Sequence, residues 1–465
     1  MRRAISFALL SSTSALLGCS SLDRATGVAT GYVSHQLCSA TFVSKVEPEQ
    51  FYRESIAPIL SPVGFLSSHR VDRQRAEVTS GFAGVAEAHA IDRGPLGCLV
   101  LHGEPPAPVS LAPHTPAPAL LPDIAGPEIV EPTRPALKLA LDRAFGENAS
   151  PPYRNTKTVV VVRDGRVIAE RYAPGYGIDT QVMGWSATKS VTNALIGILV
   201  RQGRLSLEGP APIAAWADPK DPRHAISIDN LLRMNSGLDI GDSLTARAST
   251  AFDPSAYMVF GVRDMAAFAE KAPIKAARGA ATSWNYTNGN TLLLSKIIRD
   301  NAGGDAASTL AFARRELFDK LGMRHVTLEF DAVGTPIGSS HMLASARDWA
   351  RFGLLYLNDG VVGGERLLPP GWVDYSAAAT PGSERFGYAA GFWTNRGDGE
   401  GQRYRIARGI PADAFFARGA NGQYVVIVPS KRLVVVRLGS AFTERDDMDV
   451  VARLVADVIA SSPPS

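Results

Sequence analysis

Ser186 and Lys189 are the two residues whose types and spacing most directly imply chemistry. They stand three positions apart in the segment GWSATKS (184–190), at the head of the apolar run Val191–Val200. Residues three apart on a helix share one face, so the Lys189 amine can reach the Ser186 hydroxyl close to a helix N-terminus. A lysine in this position can turn an unreactive alcohol into a nucleophile. The alternative is a serine that caps the helix and a solvated lysine one turn later.

Tyr286 and Asn288 form the next candidate pair. They lie in a Gly/Asn-rich loop just before an expected helix over Thr291–Arg299, 100 residues after the candidate serine. A serine–lysine hydrolase needs a second proton carrier for the leaving group, and a tyrosine can serve as one. Two other Tyr-x-Asn triplets occur in the chain. The triplet at Tyr153 precedes an expected strand, and the triplet at Tyr356 ends an expected apolar helix. The context therefore favours Tyr286, with an ordinary loop tyrosine as the alternative.

A strand near the C-terminus is the third candidate element. The segment FFARGANGQ (415–423) contains Ala417, Arg418, Gly419 and Ala420. A strand edge can offer a backbone N–H to a developing oxyanion, and Gly419 would let the substrate backbone approach closely. The alternative is a hairpin strand with a glycine turn.

These elements resemble those of the class C β-lactamase-like serine hydrolases, and within them the 6-aminohexanoate-dimer hydrolase and carboxylesterase branch. In that class Tyr-x-Asn replaces Ser-x-Asn, and the Ala417–Gly419 strand aligns with the Lys-Thr-Gly or His-x-Gly strand. The resemblance covers about residues 136–460 and is supported by three further stretches, SIDNLLRMNSGL (227–238), RELFDKLGM (315–323) and SARDWARFG (345–353).

The resemblance implies a role for each candidate residue. Ser186 would form an acyl-enzyme, and Lys189, with a lowered pKa, would accept the serine proton. Tyr286 would relay that proton to the leaving group, and Asn288 would orient the lysine and the substrate. The backbone N–H groups of Ser186 and Ala420 would form the oxyanion hole.

The position of Ala417 bears on the substrate. At this position the family pattern has a Lys or His, which would bind the carboxylate of a β-lactam. Because Ala417 carries no charge, the sequence counts against β-lactam antibiotics as the main substrate. The adjacent Arg418 is a poor substitute, because successive strand residues face opposite sides.

The elements that must position these residues predict an α+β fold. The region should begin with a helix over Ala136–Phe145, followed by a hairpin of Thr158–Val162 and Arg166–Glu170. It should end with a hairpin of Tyr424–Val428 and Leu433–Leu438, followed by a helix over Asp446–Ile459. Helices dominate between them. The sequence therefore predicts a β-lactamase/transpeptidase-like antiparallel sheet built from both ends, with a helical region inserted.

The residues before this region form two further parts. Residues 19–103 are expected to be a small N-terminal unit with strands at Ala40–Val43, Phe82–Val85 and Leu96–Leu101. Residues 104–135 hold many of the prolines and predict an extended linker on the surface.

The first residues resemble a lipoprotein signal. Arg2 and Arg3 precede the apolar stretch Ala4–Leu17, which is too short to span a bilayer, and LLGC (16–19) resembles a lipobox. The resemblance implies removal of residues 1–18, diacylation of Cys19 and a periplasmic location on a membrane. Ser20 lacks the acidic residue that retains lipoproteins in the inner membrane, which favours the outer one. Plain secretion into the periplasm is the alternative.

Cys38 and Cys98 then remain as an even pair in an oxidising compartment, which predicts a disulfide between them. Two buried thiols are the alternative.

Several classes of function find no support in the chain. Its net charge of +3 and ordinary composition give no sign of nucleic-acid binding. It contains no C-x-x-C, H-E-x-x-H, G-x-G-x-x-G or G-x-S-x-G motif, so we expect no metal, no cofactor and no α/β-hydrolase triad.

Three interpretations of the function remain. The leading one is a hydrolase of small amides or esters. A penicillin-binding DD-peptidase, a D-aminopeptidase or a β-lactamase is the first alternative, and a non-catalytic binding lipoprotein is the second.

Overall fold

The structure is a computed structural model that describes residues 5–244, 248–275 and 283–461, with side chains from residue 21 onward except those of Ala248 and Asp446. The fifteen strands of these described residues lie in four sheets. They are β1 Ser67–Asp72, β2 Glu77–Phe82, β3 Ala86–Asp92, β4 Cys98–Val100, β5 Thr156–Arg163, β6 Arg166–Tyr172, β7 Val182–Met183, β8 Val326–Leu328, β9 Met342–Ala344, β10 Val361–Val362, β11 Glu365–Arg366, β12 Trp393–Thr394, β13 Phe415–Gly419, β14 Gln423–Val428 and β15 Leu433–Gly439.

The α-helices of the described residues are mostly in the middle of the chain. They are α1 Ile5–Cys38, α2 Pro48–Phe51, α3 Ala57–Leu60, α4 Pro135–Ala144, α5 Thr188–Arg201, α6 Ile228–Arg233, α7 Pro254–Phe260, α8 Met265–Glu270, α9 Asn288–Ala302, α10 Ala306–Ala313, α11 Asp319–Leu321, α12 Ala346–Leu357, α13 Trp372–Ala377, α14 Glu400–Ile406 and α15 Met448–Ala460.

The largest sheet has six antiparallel strands in the order β12-β13-β14-β15-β5-β6. Strand β15, from the end of the chain, pairs with β5, from the start of this region, so both ends meet in the centre of the sheet. Successive valines of β5 face opposite sides: Val160 and Val162 join one hydrophobic core, and Val159 and Val161 join another. The predicted α+β arrangement is confirmed.

Helices cover both faces of this sheet. Helix α12 packs against β14, β15 and β5 on one face, and α4 and α15 contribute to the core on the other. Because both faces are buried, β5 and β15 carry the uninterrupted valine runs Val159–Val162 and Val434–Val436 instead of alternating apolar and polar residues. The hairpins and helices predicted at both ends of this region are present within one or two residues.

The N-terminal unit consists of α1 packed against the four-stranded sheet β1-β2-β3-β4. Cys38 at the end of α1 and Cys98 at the start of β4 form a disulfide, with their Cα atoms 6.0 Å apart. The sulfur atoms join the two layers at the centre of a small core that includes Leu37, Val78 and Ala90.

Two of the strands predicted in this unit are wrong. Ser39–Val43 continues α1 as a π-helical turn, because Cys38 before it is already helical, with a φ of −59° and a ψ of −53°, and Ala40 and Thr41 are buried in this conformation. Strand β2 ends at Phe82, and Ala83 and Gly84 have the positive φ angles of a turn. The third prediction is confirmed in part, since β4 occupies the centre of Leu96–Leu101.

Residues 104–134 contain no helix or strand among the elements described, as the prolines predict. This segment follows the outer edge of the large sheet, where Ile124 O accepts from Val167 N at 2.8 Å and Val130 O accepts from Glu170 N at 2.9 Å. Arg347 binds it from the other side by donating to the carbonyls of Gly126 and Glu128 at 2.7 Å.

The backbone of α1 passes through Cys19, but the side chains of residues 5–20 and all of residues 1–4 lie outside the described part of the chain. The signal peptide and the lipidated cysteine therefore stay predictions. Among the described helices, none has the length and apolar character needed to cross a membrane.

Candidate active site

Ser186 lies in a single 3-10 turn, Trp185–Ala187, that leads directly into α5. The backbone before it is fixed tightly: Gly184 N donates to Met342 O at 2.8 Å, and a Cβ on Gly184 would come within 2.3 Å of the Trp349 ring. Trp185 has a φ of +48°, a conformation that is unusual for a large side chain. This turn holds the half-buried Ser186 side chain at the start of the helix.

Lys189 is at the centre of the site. Its Nζ donates to Ser186 Oγ at 3.0 Å, to Asn288 Oδ1 at 2.7 Å and to the Ser339 carbonyl at 2.8 Å. The side chain is 2 % exposed, and burial lowers the pKa of Lys189 to about 7. An amine with this pKa is uncharged in about half of the molecules at neutral pH, so it can act as a base there.

Tyr286 packs beside this lysine. Lys189 Nζ lies 4.9 Å from the centroid of the Tyr286 ring, and the tyrosine is itself buried among the rings of Trp284, Tyr388 and Trp393. The loop that carries it ends where Thr287 caps α9, and α9 begins with Asn288. The structure thus brings together Ser186, Lys189, Tyr286 and Asn288 from two helix starts.

Strand β13 approaches the nucleophile turn very closely at Gly419. A Cβ on Gly419 would lie 2.0 Å from Gly184 O and 2.9 Å from Trp185 Cβ. Glycine is therefore required by packing against the Ser186 turn, a reason that the sequence pattern did not reveal. Ala420, the next residue, lines the same cavity as Ser186.

The two residues before Gly419 have different surroundings. Ala417 is completely buried in the core that also contains Ala187 and Val191. Arg418 lies on the other side of β13, with its guanidinium 5.0 Å from the centroid of the Trp393 ring. It does not line the cavity around Ser186. The arginine thus follows the strand alternation and leaves the site without its charge.

Ser186 opens into a cavity of about 460 Å³. Of the two tryptophans beside the catalytic motifs, Trp185 lines this cavity, whereas Trp284 packs against Tyr286 outside it. Most of the other lining side chains are apolar, and many come from α1 and the N-terminal unit. The unit that the sequence left without a role therefore forms one wall of the site.

One group among the described residues has the composition of a metal site: His35, Glu329 and His341, with potential ligand atoms within 4.8 Å of one another. These atoms already have protein neighbours. His35 Nε2 lies 2.7 Å from Glu329 Oε2, and Ser39 Oγ and Cys98 N donate to Glu329 Oε1 at 2.8 and 3.0 Å. We interpret the group as a polar contact that fastens α1 and β4 to the catalytic region.

His341 belongs to this group rather than to the cavity. Its Nδ1 lies 2.6 Å from Ser340 Oγ, and it is Ser340 that lines the cavity. Burial lowers the pKa of His341 well below its usual value, and the nearby His35 and Lys189 add to that effect. A neutral histidine held in this way has a structural role.

Sequence reasoning missed two parts of the site. The Ser339 carbonyl that accepts from Lys189 carries no side-chain signal. Tyr32 of α1 stacks on Trp185 with ring centroids 6.2 Å apart, next to the nucleophile, although 153 positions separate them in the chain. Neither contact has a local pattern that could have predicted it.

Comparison with known proteins identifies the family. The sequence profile of the Beta-lactamase family matches residues 154–460. The 6-aminohexanoate-dimer hydrolase of Paenarthrobacter ureafaciens is 25% identical over 295 residues, which are 61% of this chain and 72% of that protein.

Solved structures show the same fold. A Bacillus anthracis protein assigned provisionally as a 6-aminohexanoate-dimer hydrolase matches with a TM-score of 0.56 and 20% identity, over 76% of this chain and 89% of that one. A penicillin-binding protein homologue from Caulobacter crescentus matches with a TM-score of 0.53 and 17% identity, over 73% of this chain and 100% of that one. The β-lactamase/transpeptidase-like fold predicted from the sequence is thereby confirmed.

Proposed function

Since the chain belongs to the beta-lactamase family and is a serine hydrolase, we propose that it cleaves small esters or amides through an acyl-enzyme on Ser186. The observation that carries this proposal is the hydrogen bond of 3.0 Å between Ser186 Oγ and the buried amine of Lys189. A lysine whose pKa is lowered to about 7 is partly neutral at neutral pH, and its neutral amine can accept the proton of the Ser186 hydroxyl.

The proposed reaction has two halves. In the first, Lys189 Nζ accepts the Ser186 proton while Oγ attacks the carbonyl carbon, and the leaving alcohol or amine departs with a proton relayed through Tyr286. In the second, water gives a proton back through the same groups and its oxygen attacks the acyl carbon, which releases a carboxylic acid and restores Ser186. Asn288 holds Lys189 in place, and the backbone N–H groups of Ser186 and Ala420 stabilise the oxyanion.

The alternatives from the sequence fit the site less well. A β-lactamase or a DD-peptidase must hold a substrate carboxylate, and the described residues that line the cavity include no lysine or arginine. The residue at the expected cation position, Ala417, is buried in the core. A purely binding lipoprotein would not need a lysine buried against a serine.

A fluorophosphonate probe tests the nucleophile. We expect it to label the wild-type protein and the Ser249→Ala variant, because Ser249 lines the same cavity without contacting Lys189. Ser186→Ala should abolish both labelling and turnover. Labelling that survives this substitution would overturn the assignment.

A substrate panel tests the reaction. p-Nitrophenyl esters compared with short amide oligomers, including the 6-aminohexanoate dimer, separate an esterase from an amidase. Stable labelling by fluorescent penicillin would instead favour the penicillin-binding alternative.

The membrane location remains a separate proposal that rests on the signal-like segment before Cys19. Mass spectrometry of the mature protein from a bacterial host should find a diacylated Cys19 at its N-terminus, and Cys19→Ser should release the protein from the membrane fraction. An unmodified N-terminus at another residue would contradict it.

A further inference from the structure

The cavity in front of Ser186 is apolar on nearly every side. Asp242 is the one charged side chain among its described lining residues. Helix α1 supplies one wall through residues spaced by three and four positions: Leu22, Ala25, Ala29 and Tyr32. Residues with this spacing lie on a single helix face, so the wall is a continuous apolar stripe that ends beside the nucleophile.

Helix α7 supplies another part of the wall, and it packs closely against α1. A Cβ on Gly31 of α1 would come within 2.5 Å of Phe260 O of α7, and Tyr32 meets the Phe260 ring edge-on with centroids 5.5 Å apart. Val28 and Val259 belong to the same small core. The apolar wall is therefore built into the packing of the protein.

The rim of the cavity is mostly apolar, with Asp242 and Ser249 as its exposed polar residues. Leu22 is 57% exposed and Phe252 is 60% exposed, and both line the cavity, together with the less exposed Val63 and Leu66. Exposed large apolar side chains that gather around one opening are typical of a binding site for an apolar ligand. The apolar surface thus runs from the nucleophile out to solvent.

We propose that this cavity binds the acyl chain of the substrate and that the enzyme prefers esters of medium- and long-chain fatty acids. This inference rests on the proposed function, since the acyl group must be the one transferred to Ser186. The ester bond to the leaving alcohol breaks, the Ser186 ester forms, and water then releases the fatty acid while the alkyl chain stays in the cavity that α1 and α7 line. A volume of about 460 Å³ lies in the range of sites that enclose small ligands.

A series of p-nitrophenyl esters from acetate to laurate tests the proposal on the unmodified protein. The leaving group is constant, so differences report on the acyl site. Burial of each added CH₂ should raise kcat/KM by about fourfold until the chain fills the cavity.

Two α1 variants locate the effect. Ala29 is half-buried and faces the cavity, whereas a Cβ on Gly27 would meet nothing within 4 Å. The two positions point in directions about 160° apart around the helix. Ala29→Phe should lower kcat/KM for laurate at least about tenfold more than kcat/KM for acetate, as expected for a shortened pocket. Gly27→Phe, which adds the same ring on the other side, should change neither.

The outcomes separate this inference from the proposed function. If acetate is hydrolysed but kcat/KM stays flat or falls along the series, the acyl-chain proposal is wrong and the serine hydrolase mechanism stands. Equal loss for both esters in Ala29→Phe, with normal values for Gly27→Phe, would also count against the chain-binding role. If no ester is hydrolysed and the fluorophosphonate leaves Ser186 unlabelled, both proposals fail together.

Discussion

Lys189 Nζ donates to Ser186 Oγ across 3.0 Å from a side chain that is 2% exposed. Burial lowers the pKa of Lys189 to about 7, so the amine is protonated below that pH and neutral above it. Only the neutral amine can accept the serine proton. We therefore expect kcat/KM to rise as the pH passes through about 7 and to level off above about pH 8. Below about pH 6, kcat/KM should fall about tenfold for each pH unit. A pH–rate profile with an ester substrate measures this.

The Lys189→Arg substitution should remove the base and keep a positive charge at this position. A guanidinium does not lose its proton in this pH range, so Lys189→Arg should lower kcat/KM by about 10³-fold at about pH 8 and abolish the rise through about pH 7. Lys296→Arg, at a half-exposed lysine of α9 that pairs with Glu270 and Asp300, is the matched control and should keep normal activity. A variant at 189 that keeps the wild-type profile would show that another group is the base.

Asn288 should influence the pKa of Lys189, because its side chain is in direct contact with the lysine amine. Its Oδ1 lies 2.7 Å from Lys189 Nζ, so Asn288→Asp would place a carboxylate against the amine. A neighbouring opposite charge favours the protonated lysine, and the midpoint of the pH–rate profile should move above about 8. Asn148→Asp adds the same charge on an exposed loop and should leave the midpoint near 7. A lower kcat with an unmoved midpoint would mean that Asn288 only supports the fold.

Gly419→Ala tests the close contact between β13 and the nucleophile turn. The added Cβ would lie 2.0 Å from Gly184 O, so the turn that carries Ser186 must shift. Overpacking of this kind costs about 1–3 kcal/mol, and misplacement of a nucleophile by about 1 Å can cost about 10²-fold in rate. We expect a lower midpoint of thermal unfolding together with a lower kcat. Gly126→Ala, where a Cβ meets nothing within 4 Å, should change neither.

The parts of the molecule that could be predicted from the sequence are those with a local pattern. Ser186 and Lys189 were found because a helix brings positions three apart onto one face. The valine-rich runs of β5 and β15 predicted strands, since β-branched residues favour sheets and their length suits a buried strand. Tyr286 and Gly419 were chosen through the family resemblance, because nothing local ties them to Ser186.

The parts that could not be predicted depend on packing between distant segments. The residues of Ala40–Val43 favour a strand, but they follow a long helix and continue it as a π-helical turn. The contact of Tyr32 with Trp185, which makes the N-terminal unit a wall of the site, joins two segments with no shared pattern. Gly419 was expected to make room for substrate, and the structure shows instead that it makes room for Gly184.

The Cys38–Cys98 disulfide should couple the stability of the N-terminal unit to substrate choice. It joins the end of α1 to β4 across 60 residues, and loop entropy alone makes such a bond worth about 4 kcal/mol. The double variant Cys38→Ser, Cys98→Ser should therefore unfold at lower denaturant concentration. Because α1 forms the wall of the cavity, the variant should lose more kcat/KM for laurate than for acetate. A Cys19→Ser protein provides the control, since it keeps the disulfide and should show no free thiol before reduction. Two free thiols in that control, or equal losses for both esters in the double variant, would contradict the coupling.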